Sequence, residues 1–311
     1  MSKPVICIGA ALVDELYHAN GPILLATTNE GKVHRSAGGV SRNIAHQLAL
    51  LGVPIQLISV FGSDGEGDWL KTICQYAGIK LDASITSSSL TGKYTGILNE
   101  DGSLFTAFLT NPPLHLITPE HFEQNKQLLE TASVILADAN IPVLATEWLL
   151  NFCTNQKIPL IIEPVSVPPA EKYRKANLKG LFLITPNEDE LPVLCSANAV
   201  TVLQQVNELL ERGVQYIWLH RGSEGSLFFS KEKTIKLAAP ETVVKDCTGA
   251  GDGSVAGFIL AKYLHKTNEE SLRIAHTLSA EILQVDGAIA THLNQEKLLE
   301  LVAIYYPEQC E

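Results

Sequence analysis

The stretch that decides the fold is D-C-T-G-A-G-D-G, residues 246–253, in which two aspartates enclose a run of very small residues. Glycine loses more conformational freedom on folding than any other residue, so three glycines at 249–253 suggest a close approach to the main chain. The residues after Gly253 are apolar on nearly every side, which predicts a buried helix that begins at 249–252. The unpaired N–H groups and the dipole of such a helix start favour an anion.

An aspartate inside an anion-binding turn is a contradiction that has two solutions. Asp252 could face a hydroxyl group that attacks phosphorus, while the N–H groups hold the charge of the transferred group. Asp252 could instead only cap its helix. A P-loop is excluded because neither Gly-Lys pair, at 31–32 and 92–93, is followed by Ser or Thr. A dinucleotide-binding fingerprint is disfavoured because the glycine cluster lies near the C-terminus and not after the first strand.

Composition excludes several classes of protein. The 311 residues carry a formal net charge of -11 and no basic run, so a nucleic-acid polymer is a poor partner. Six cysteines are scattered without a C-x-x-C pair, which favours a reducing cytoplasm over a disulfide framework or a zinc site. The N-terminal apolar run is short and no apolar run reaches about 18 residues, so we expect neither a secretory signal nor a membrane span.

The order of apolar runs predicts an α/β fold, a doubly wound and mainly parallel sheet. Short apolar runs that end in glycine or a polar residue are typical of strands buried on both faces, and helical stretches alternate with them. The predicted strands are 5–9, 55–62, 133–140, 158–164, 181–187 and 216–222. Helices are also predicted at about 268–286 and 294–305.

Two stretches without helical period interrupt this order. The second reads as a strand, an N-E-D-G turn and another strand. We therefore expect an α/β core of residues 1–14, 37–89 and 112–311, and an inserted β lid of residues 15–36 and 90–111. A lid would lie over a ligand at the carboxyl ends of the core strands, whereas the alternative is an ordinary surface hairpin.

The stretch D-C-T-G-A-G-D-G (246–253) resembles the D-T-T-G-A-G-D segment of the ribokinase-like (PfkB) carbohydrate and nucleoside kinases. Further segments agree in order: A-G-G-V-S-R-N-I-A (37–45), N-E-D-E (187–190) and R-G-S-E-G-S (221–226). The likeness runs from Val5 to about residue 290. Within the family, G-G-V-S-R-N-I-A, E-P-V-S-V-P-P-A and T-G-I-L-N-E-D-G are most similar to pseudouridine kinases, whereas Thr110-Asn111 depart from the Asp-Met expected there.

The resemblance implies roles for residues near the transferred group. Asp252 would be the general base, with the amides of Gly249, Ala250 and Gly251 stabilising the phosphoryl group. The acceptor would be bound by Asp14, Gly38, Gly39, Asn43 and Asn140. For Asn43, the residue pattern alone fits a polar position on an amphipathic helix equally well.

The resemblance also implies the cofactors ATP, Mg²⁺ and K⁺. ATP would contact Asn187, Arg221, Gly222, Gly225 and Gly251, although the charge of Arg221 could simply be solvated. Glu190 and Glu163 would hold Mg²⁺ through water molecules, with Asn187 assisting. A monovalent cation would be bound by Asp246, Thr248 and Gly287. The acidic N-E-D-E segment could alternatively be no more than the first turn of a helix.

The expected function is therefore an ATP-dependent kinase that phosphorylates the 5'-hydroxyl of pseudouridine. The alternatives are a kinase for ribose, fructose or adenosine and, from a different class, a non-catalytic ligand-binding relative. Retention of both Asp252 and Glu190 argues against the non-catalytic relative. Exposed edges of the lid sheet predict a homodimer through the lid.

Overall fold

The computed structural model describes residues 3–110 and 112–307. Asn111, named in the sequence analysis, and Cys310, one of the six cysteines, lie outside these ranges. The strands of the described part are, in chain order, β1 (Val5–Ile8), β2 (Leu12–Ala19), β3 (Gly31–Gly38), β4 (Ile55–Ile58), β5 (Val60–Gly62), β6 (Ile85–Ser87), β7 (Lys93–Leu98), β8 (Leu104–Thr110), β9 (Val134–Asp138), β10 (Leu160–Glu163), β11 (Leu183–Ile184), β12 (Tyr216–His220), β13 (Ser226–Phe229) and β14 (Thr234–Leu237).

The helices alternate with these strands, as the sequence predicts. They are α1 (Val40–Leu50), α2 (Gly65–Tyr76), α3 (Pro119–Gln124), α4 (Lys126–Leu129), α5 (Val143–Gln156), α6 (Val167–Glu171), α7 (Glu190–Val193), α8 (Val202–Glu211), α9 (Ala250–Tyr263), α10 (Asn268–Ile282) and α11 (Gln295–Tyr305). None of the helices within the described ranges is long and apolar enough to cross a membrane.

The main sheet has eight strands in the order β14-β13-β12-β11-β10-β9-β1-β4. Strands β12 to β4 are parallel throughout, which confirms the predicted doubly wound sheet. The antiparallel edge formed by β13 and β14 was not predicted. Each parallel strand is buried on both faces because helices cover both sides of the sheet.

Two apolar clusters lie on the two faces of the main sheet. Ile6 and Ile8 of β1 belong to one cluster, and Val5 and Cys7 belong to the other, because successive side chains of a strand point to opposite faces. Fully burying an aliphatic side chain of this kind contributes about 1.5 to 3 kcal/mol. The helix predicted to be buried, α9, is buried continuously over residues 253–261 and packs against α1 and α10, which fixes the position of its N-terminus.

A separate four-stranded sheet, with the order β3-β2-β7-β8, is built from the two stretches that lack helical period. Strands β7 and β8 form the predicted hairpin around the N-E-D-G turn. Strand β2 begins at Leu12, four residues after β1 ends at Ile8, so the small sheet starts at the carboxyl end of a core strand. Strand β3 ends at Gly38, immediately before α1 returns the chain to the core.

Candidate active site

The carboxyl ends of the parallel strands bring the predicted site residues to one edge of the main sheet. Asp138 ends β9 and Glu163 ends β10, while Asn187 follows β11 by three positions and forms a bridge with His220 at the end of β12. The N-terminus of α9 lies at the same edge, since charges on Asp252 and Glu163 interact. Parallel α/β sheets bind their ligands at this edge.

The glycines of residues 246–253 either allow close packing within the protein or leave space beside the main chain. Gly249 is the N-cap of α9 with φ of +76°, and a Cβ added to it would lie 2.4 Å from the Cβ of Ala288. A Cβ on Gly253 would lie 2.2 Å from Cδ1 of Ile282. A Cβ on Gly251 would meet no heavy atom within 4 Å. The close approach inferred from the sequence is thus made by the protein itself at two positions, and only Gly251 leaves space for a ligand.

The start of α9 offers N–H groups that the rest of the described chain does not use. Gly249 and Gly251 donate to no acceptor within residues 3–110 and 112–307, and the N–H of Ala250 lies 3.4 Å from the carbonyl oxygen of Cys247. A helix start of this kind stabilises negative charge through its free N–H groups and its dipole. The arrangement is suited to a transferred phosphoryl group.

Asp252 lies in the first turn of α9 and is not its cap. The N-cap is Gly249, and no side chain makes a capping hydrogen bond there, so the capping alternative is wrong. The side-chain Nδ2 of Asn43, on α1, donates to Oδ2 of Asp252 at 2.7 Å. Burial raises the pKa of Asp252 to about 6, although Asn43 and the charge of Arg42 act against this shift. Above that pH the carboxylate is ionised and able to accept a proton.

Asp14 faces the same region from the small sheet. A Cβ on Gly38 would lie 2.0 Å from Oδ2 of Asp14, so only glycine allows this carboxylate to lie against the main chain of β3. Gly39, with φ of +97°, turns the chain from β3 into α1. Burial raises the pKa of Asp14 to about 6, and the nearby guanidinium of Arg42 opposes the shift.

Asp138 and Arg42 are two buried charged residues at this edge to which the sequence analysis assigned no role. Asp138 is fully buried and accepts hydrogen bonds from the N–H groups of Ala10 at 2.8 Å, Ser41 at 3.2 Å and Asn140 at 3.0 Å. It thereby joins the end of β1 to the start of α1. Burial raises the pKa of Asp138 despite these bonds. A signal was present for Asp138, which places a charge within an otherwise apolar strand pattern, whereas Arg42 stands between the polar residues Ser41 and Asn43 and gave none.

Asn140 takes part in this site through its main chain, since its N–H donates to Oδ1 of Asp138. That bond makes the residue after β9 part of the turn that Asp138 holds. The predicted contact of Asn140 with an acceptor molecule stays a prediction.

Glu163 and Glu190 place two further carboxylates in the low-dielectric end of the sheet. Burial, together with the charges of Asp252, Glu190 and Asp138, raises the pKa of Glu163 well above its usual value. Its Oε2 accepts from the N–H of Val165, whose φ of +71° is rare for a β-branched residue and marks a constrained turn. Glu190 is 4% exposed, and burial raises its pKa as well.

The donor set around Glu163 and Glu190 fits a hard divalent cation held at a distance. Both residues offer carboxylate oxygens, which Mg²⁺ prefers, and a cation would relieve their mutual repulsion. No group of three His, Cys, Asp or Glu side chains in the described residues is arranged to hold a metal directly. Asn187 orients Glu190, because its N–H donates to Oε2 of Glu190 at 2.9 Å and its Oδ1 accepts from the N–H of Glu190 at 2.9 Å.

Asp246 brings together the residues predicted to bind a monovalent cation. Its Oδ1 accepts from the N–H of Thr248 at 2.8 Å and its Oδ2 accepts from the N–H of Gly287 at 2.9 Å. Although partial burial acts in the opposite direction, these bonds lower the pKa of Asp246. Asp246 therefore ties the turn before α9 to the loop at Gly287, and its cation-binding role stays a prediction.

A cavity of about 640 Å³ adjoins the start of α9. Gly222, Gly225, Ala250 and Gly251 line it, together with the side chains of His220 and His276. The volume suits a nucleotide-sized ligand, since small-molecule sites span about 300 to 1,000 Å³. Sequence reasoning did not single out the two histidines as cavity residues.

Arg221 stands beside this cavity with its charge already paired. Its guanidinium forms ion pairs with Glu188 at 3.0 Å and with Glu224 at 2.6 Å. These partners keep the guanidinium at the surface next to the strand that carries His220. The predicted contact of Arg221 with a nucleotide stays a prediction.

The fold and the site together define a class of protein, a phosphotransferase of the ribokinase type. Residues 3–295 match the pfkB family carbohydrate kinases, and the chain belongs to this family. Its acceptor is therefore a hydroxyl group, as predicted, and the non-catalytic alternative is not supported.

Individual relatives include a nucleoside kinase and sugar kinases. The chain is 30% identical over 304 residues to the pseudouridine kinase of Escherichia coli K12, covering 96% of both chains. It is 31% identical over 283 residues to an uncharacterized sugar kinase of the same organism, covering 89% of this chain and 77% of the relative. The structure of Arabidopsis thaliana ribokinase complexed with ribose and ATP superimposes with a TM-score of 0.86 at 24% identity, over 97% and 99% of the two chains, which supports the fold.

Proposed function

We propose that this protein transfers the γ-phosphoryl group of ATP to the 5'-hydroxyl of pseudouridine, with Asp252 as general base. The observation that carries the proposal is the junction at the start of α9, where unused N–H groups stand next to the carboxylate of Asp252. An anion-stabilising site and a proton acceptor are adjacent there, as phosphoryl transfer to a hydroxyl requires.

The proposed step moves one proton to Asp252 and one phosphoryl group to the acceptor hydroxyl. Because Asn43 donates to Oδ2 of Asp252, Oδ1 of that carboxylate is left to accept the hydroxyl proton. The hydroxyl oxygen forms a bond to the γ-phosphorus, the bond between that phosphorus and the β,γ-bridging oxygen breaks, and ADP leaves with the bond electrons. The N–H groups of Gly249, Ala250 and Gly251 stabilise the charge on the transferred group. Asp252 then releases its proton to solvent.

The proposed cofactors occupy the parts of the site that suit them. ATP would lie in the cavity lined by Gly222, Gly225 and Gly251, with the phosphates toward α9. Mg²⁺ would be held through water by Glu190 and Glu163, and when bound it neutralises phosphate charge. Asp246, Thr248 and Gly287 are proposed to bind K⁺.

The small sheet favours a nucleoside over a bare sugar as the acceptor. Asp14 pairs across the sheet with Tyr94, and Tyr94 pairs with Leu109, so these three side chains share one face. Asp14 pairs with Ser36 of β3, and His34, two positions before Ser36, lies on the same face. The charge of His34 acts on Asp246, in the turn before α9, so this face is turned toward the start of α9. A carboxylate suits vicinal ribose hydroxyls, whereas an aromatic and an aliphatic side chain suit a base. A free pentose would leave them without a contact.

Release of ADP in the presence of five acceptors tests the function. Pseudouridine, uridine, adenosine, ribose and fructose are compared at saturating ATP and Mg²⁺, and Asp252→Asn serves as the inactive control. We expect the highest kcat/KM for pseudouridine, with product phosphorylated at the 5'-oxygen by ³¹P NMR. A higher kcat/KM for any other acceptor contradicts the substrate assignment, and near wild-type turnover by Asp252→Asn contradicts the assignment of the base.

Kinetics of Tyr94→Ala separate the nucleoside and sugar interpretations at the residue level. We expect KM for a nucleoside to rise by about tenfold, because base stacking contributes about 1 to 3 kcal/mol, while KM for ribose changes little. Equal changes for both acceptors would mean that Tyr94 does not contact a base.

We also propose a homodimer through the small sheet, in a reducing compartment such as the cytoplasm. Strand β8 is an edge of this sheet, and its Leu104, Phe105, Phe108 and Leu109 are 46 to 68% exposed. An exposed apolar edge strand pairs readily with a copy of itself. Light scattering should show that Phe108→Glu is a monomer. The control Tyr76→Glu, which changes an exposed aromatic on α2, should keep the mass of the wild type. Identical masses for all three proteins exclude this dimer.

Buried free thiols at Cys7, Cys74, Cys153 and Cys195 support the proposed reducing compartment.

A further inference from the structure

Arg42 carries a full positive charge inside the protein, next to the proposed site. The residue lies on α1 and is only 2% exposed. Removing a guanidinium from water is costly unless its donors are satisfied and its charge is compensated. The surroundings of Arg42 meet both conditions.

The donors of Arg42 reach four acceptors around the start of α1. Nε donates to the carbonyl oxygen of Gly38 at 3.4 Å, and Nη2 donates to the carbonyl oxygen of Ala37 and to the side-chain Oδ1 of Asn43. Nη1 lies 3.0 Å from Nδ1 of His46. A guanidinium has no acceptor, so Nδ1 of His46 must accept and its proton lies on Nε2. Burial, together with the charge of Arg42, lowers the pKa of His46 to about 4, which keeps the ring neutral.

Because a guanidinium donates but cannot accept, Arg42 also fixes the orientation of the side-chain amide of Asn43. Because Arg42 can only donate, it holds Oδ1 of Asn43 and leaves Nδ2 to point at Asp252, 2.7 Å away. The opposite amide orientation would set two donors against each other and two oxygens against each other. Arg42 therefore ensures that Asn43 presents a donor, and not an oxygen, to Oδ2 of Asp252.

The charge of Arg42 also acts on two carboxylates that belong to different elements. It attracts Asp14 on β2 and Asp252 on α9. The other charges that act on Asp252 are those of Asp14, Asp138 on β9 and Glu163 on β10, and all are negative. Among these described groups, Arg42 is the cation that favours the ionised form of Asp252.

We propose that Arg42 is a positioning residue for phosphoryl transfer, which holds the Asn43 amide in the orientation that presents Asp252 to the acceptor and keeps Asp252 and Asp14 ionised together. The inference rests on the proposed function, in which Asp252 is the base. Arg42 contacts neither the acceptor nor the phosphates in this proposal and acts through Asn43 and through its charge.

The test compares Arg42→Met with Arg212→Met, a matched change. Arg212 is a partly buried guanidinium that also donates to main-chain oxygens, those of Leu194, Tyr173 and Ala176, none of which belongs to the proposed site. We expect both variants to lose thermal stability. Only Arg42→Met should lose kcat by about tenfold or more at pH 8 and shift the acid limb of its kcat profile upward by about one pH unit, as for loss of a neighbouring opposite charge.

A second variant, Arg42→Lys, separates the charge from the fork of donors. It should keep the acid limb within about 0.3 pH units of the wild type while still losing kcat, since an ammonium group cannot hold Gly38, Ala37 and Asn43 in one plane. A profile of Arg42→Met that superimposes on that of Arg212→Met overturns the proposal. If Arg42→Met does not fold, wild-type kcat in Arg42→Lys overturns the orienting role.

A readout without turnover distinguishes failure of this inference from failure of the proposed function. The side-chain carboxyl of Asp252 is titrated by ¹³C NMR in labelled protein, with its signal assigned by comparison with Asp252→Asn. The midpoint should rise by about one pH unit in Arg42→Met whether or not any acceptor is phosphorylated. An unchanged midpoint overturns the inference, whereas an inactive wild type with a shifted midpoint overturns the proposed function alone.

Discussion

The two raised carboxyl pKa values predict an unusually steep acid limb for the kinase reaction. Burial raises the pKa of both Asp252 and Asp14 to about 6. In the proposed mechanism the free enzyme requires both groups ionised, Asp252 to accept the hydroxyl proton and Asp14 to accept hydrogen bonds from the sugar. At one pH unit below such a pKa about a tenth of each group is ionised, so kcat/KM for the acceptor should fall about 100-fold between pH 7 and pH 5.

Replacement of one carboxylate reduces the predicted steepness. In Asp14→Asn the same change of pH should lower kcat/KM only about tenfold, because a single group then titrates. The measurement is ADP release from pH 5 to pH 8, at saturating ATP and Mg²⁺ and at constant ionic strength. Titration of the nucleotide affects both proteins equally and cancels in the comparison. A wild-type profile that is flat between pH 5 and pH 7 would refute the general-base reasoning, and equal slopes in both proteins would refute the role of Asp14.

Three further predictions concern stability and metal dependence. The folded-state pKa of Asp252 lies above its unfolded value, so ionisation of this group opposes folding at high pH. Asp252→Asn should therefore raise the free energy of unfolding, measured by urea denaturation, by about 1 to 3 kcal/mol at pH 8 but not below pH 4. An equal gain at both pH values would contradict this. Glu190→Gln should raise the Mg²⁺ concentration for half-maximal activity by about tenfold or more, and an unchanged Mg²⁺ titration would exclude Glu190 from the metal shell. Gly249→Ala should cost about 1 to 3 kcal/mol because of its positive φ and its contact with Ala288, whereas Gly251→Ala, which meets only open space, should unfold like the wild type; equal losses would show that the two glycines are not distinct.

The local patterns of the chain were sufficient to predict most of the fold. Apolar runs such as 133–140 identified the core strands, because a strand buried on both faces needs apolar side chains at every position. The same reasoning missed β13 and β14, the antiparallel edge. Strand β14 is half exposed, and a short strand of mixed burial has no distinctive composition.

Residues 246–253 show which features the sequence determined and which ones depend on the tertiary structure. The sequence by itself determined the family, the parallel α/β sheet, the buried helix α9 and the candidate base Asp252, since local periodicity and ordered motifs are properties of contiguous residues. Only the tertiary structure decided that Gly249 and Gly253 allow close packing against Ala288 and Ile282. It also decided that Asn43 donates to Asp252 and that Arg42 donates to Asn43. The contact between Asn43 and Asp252 joins residues 209 positions apart. The burial that raises the pKa of Asp252 and Asp14 exists only once the strands and helices have packed together.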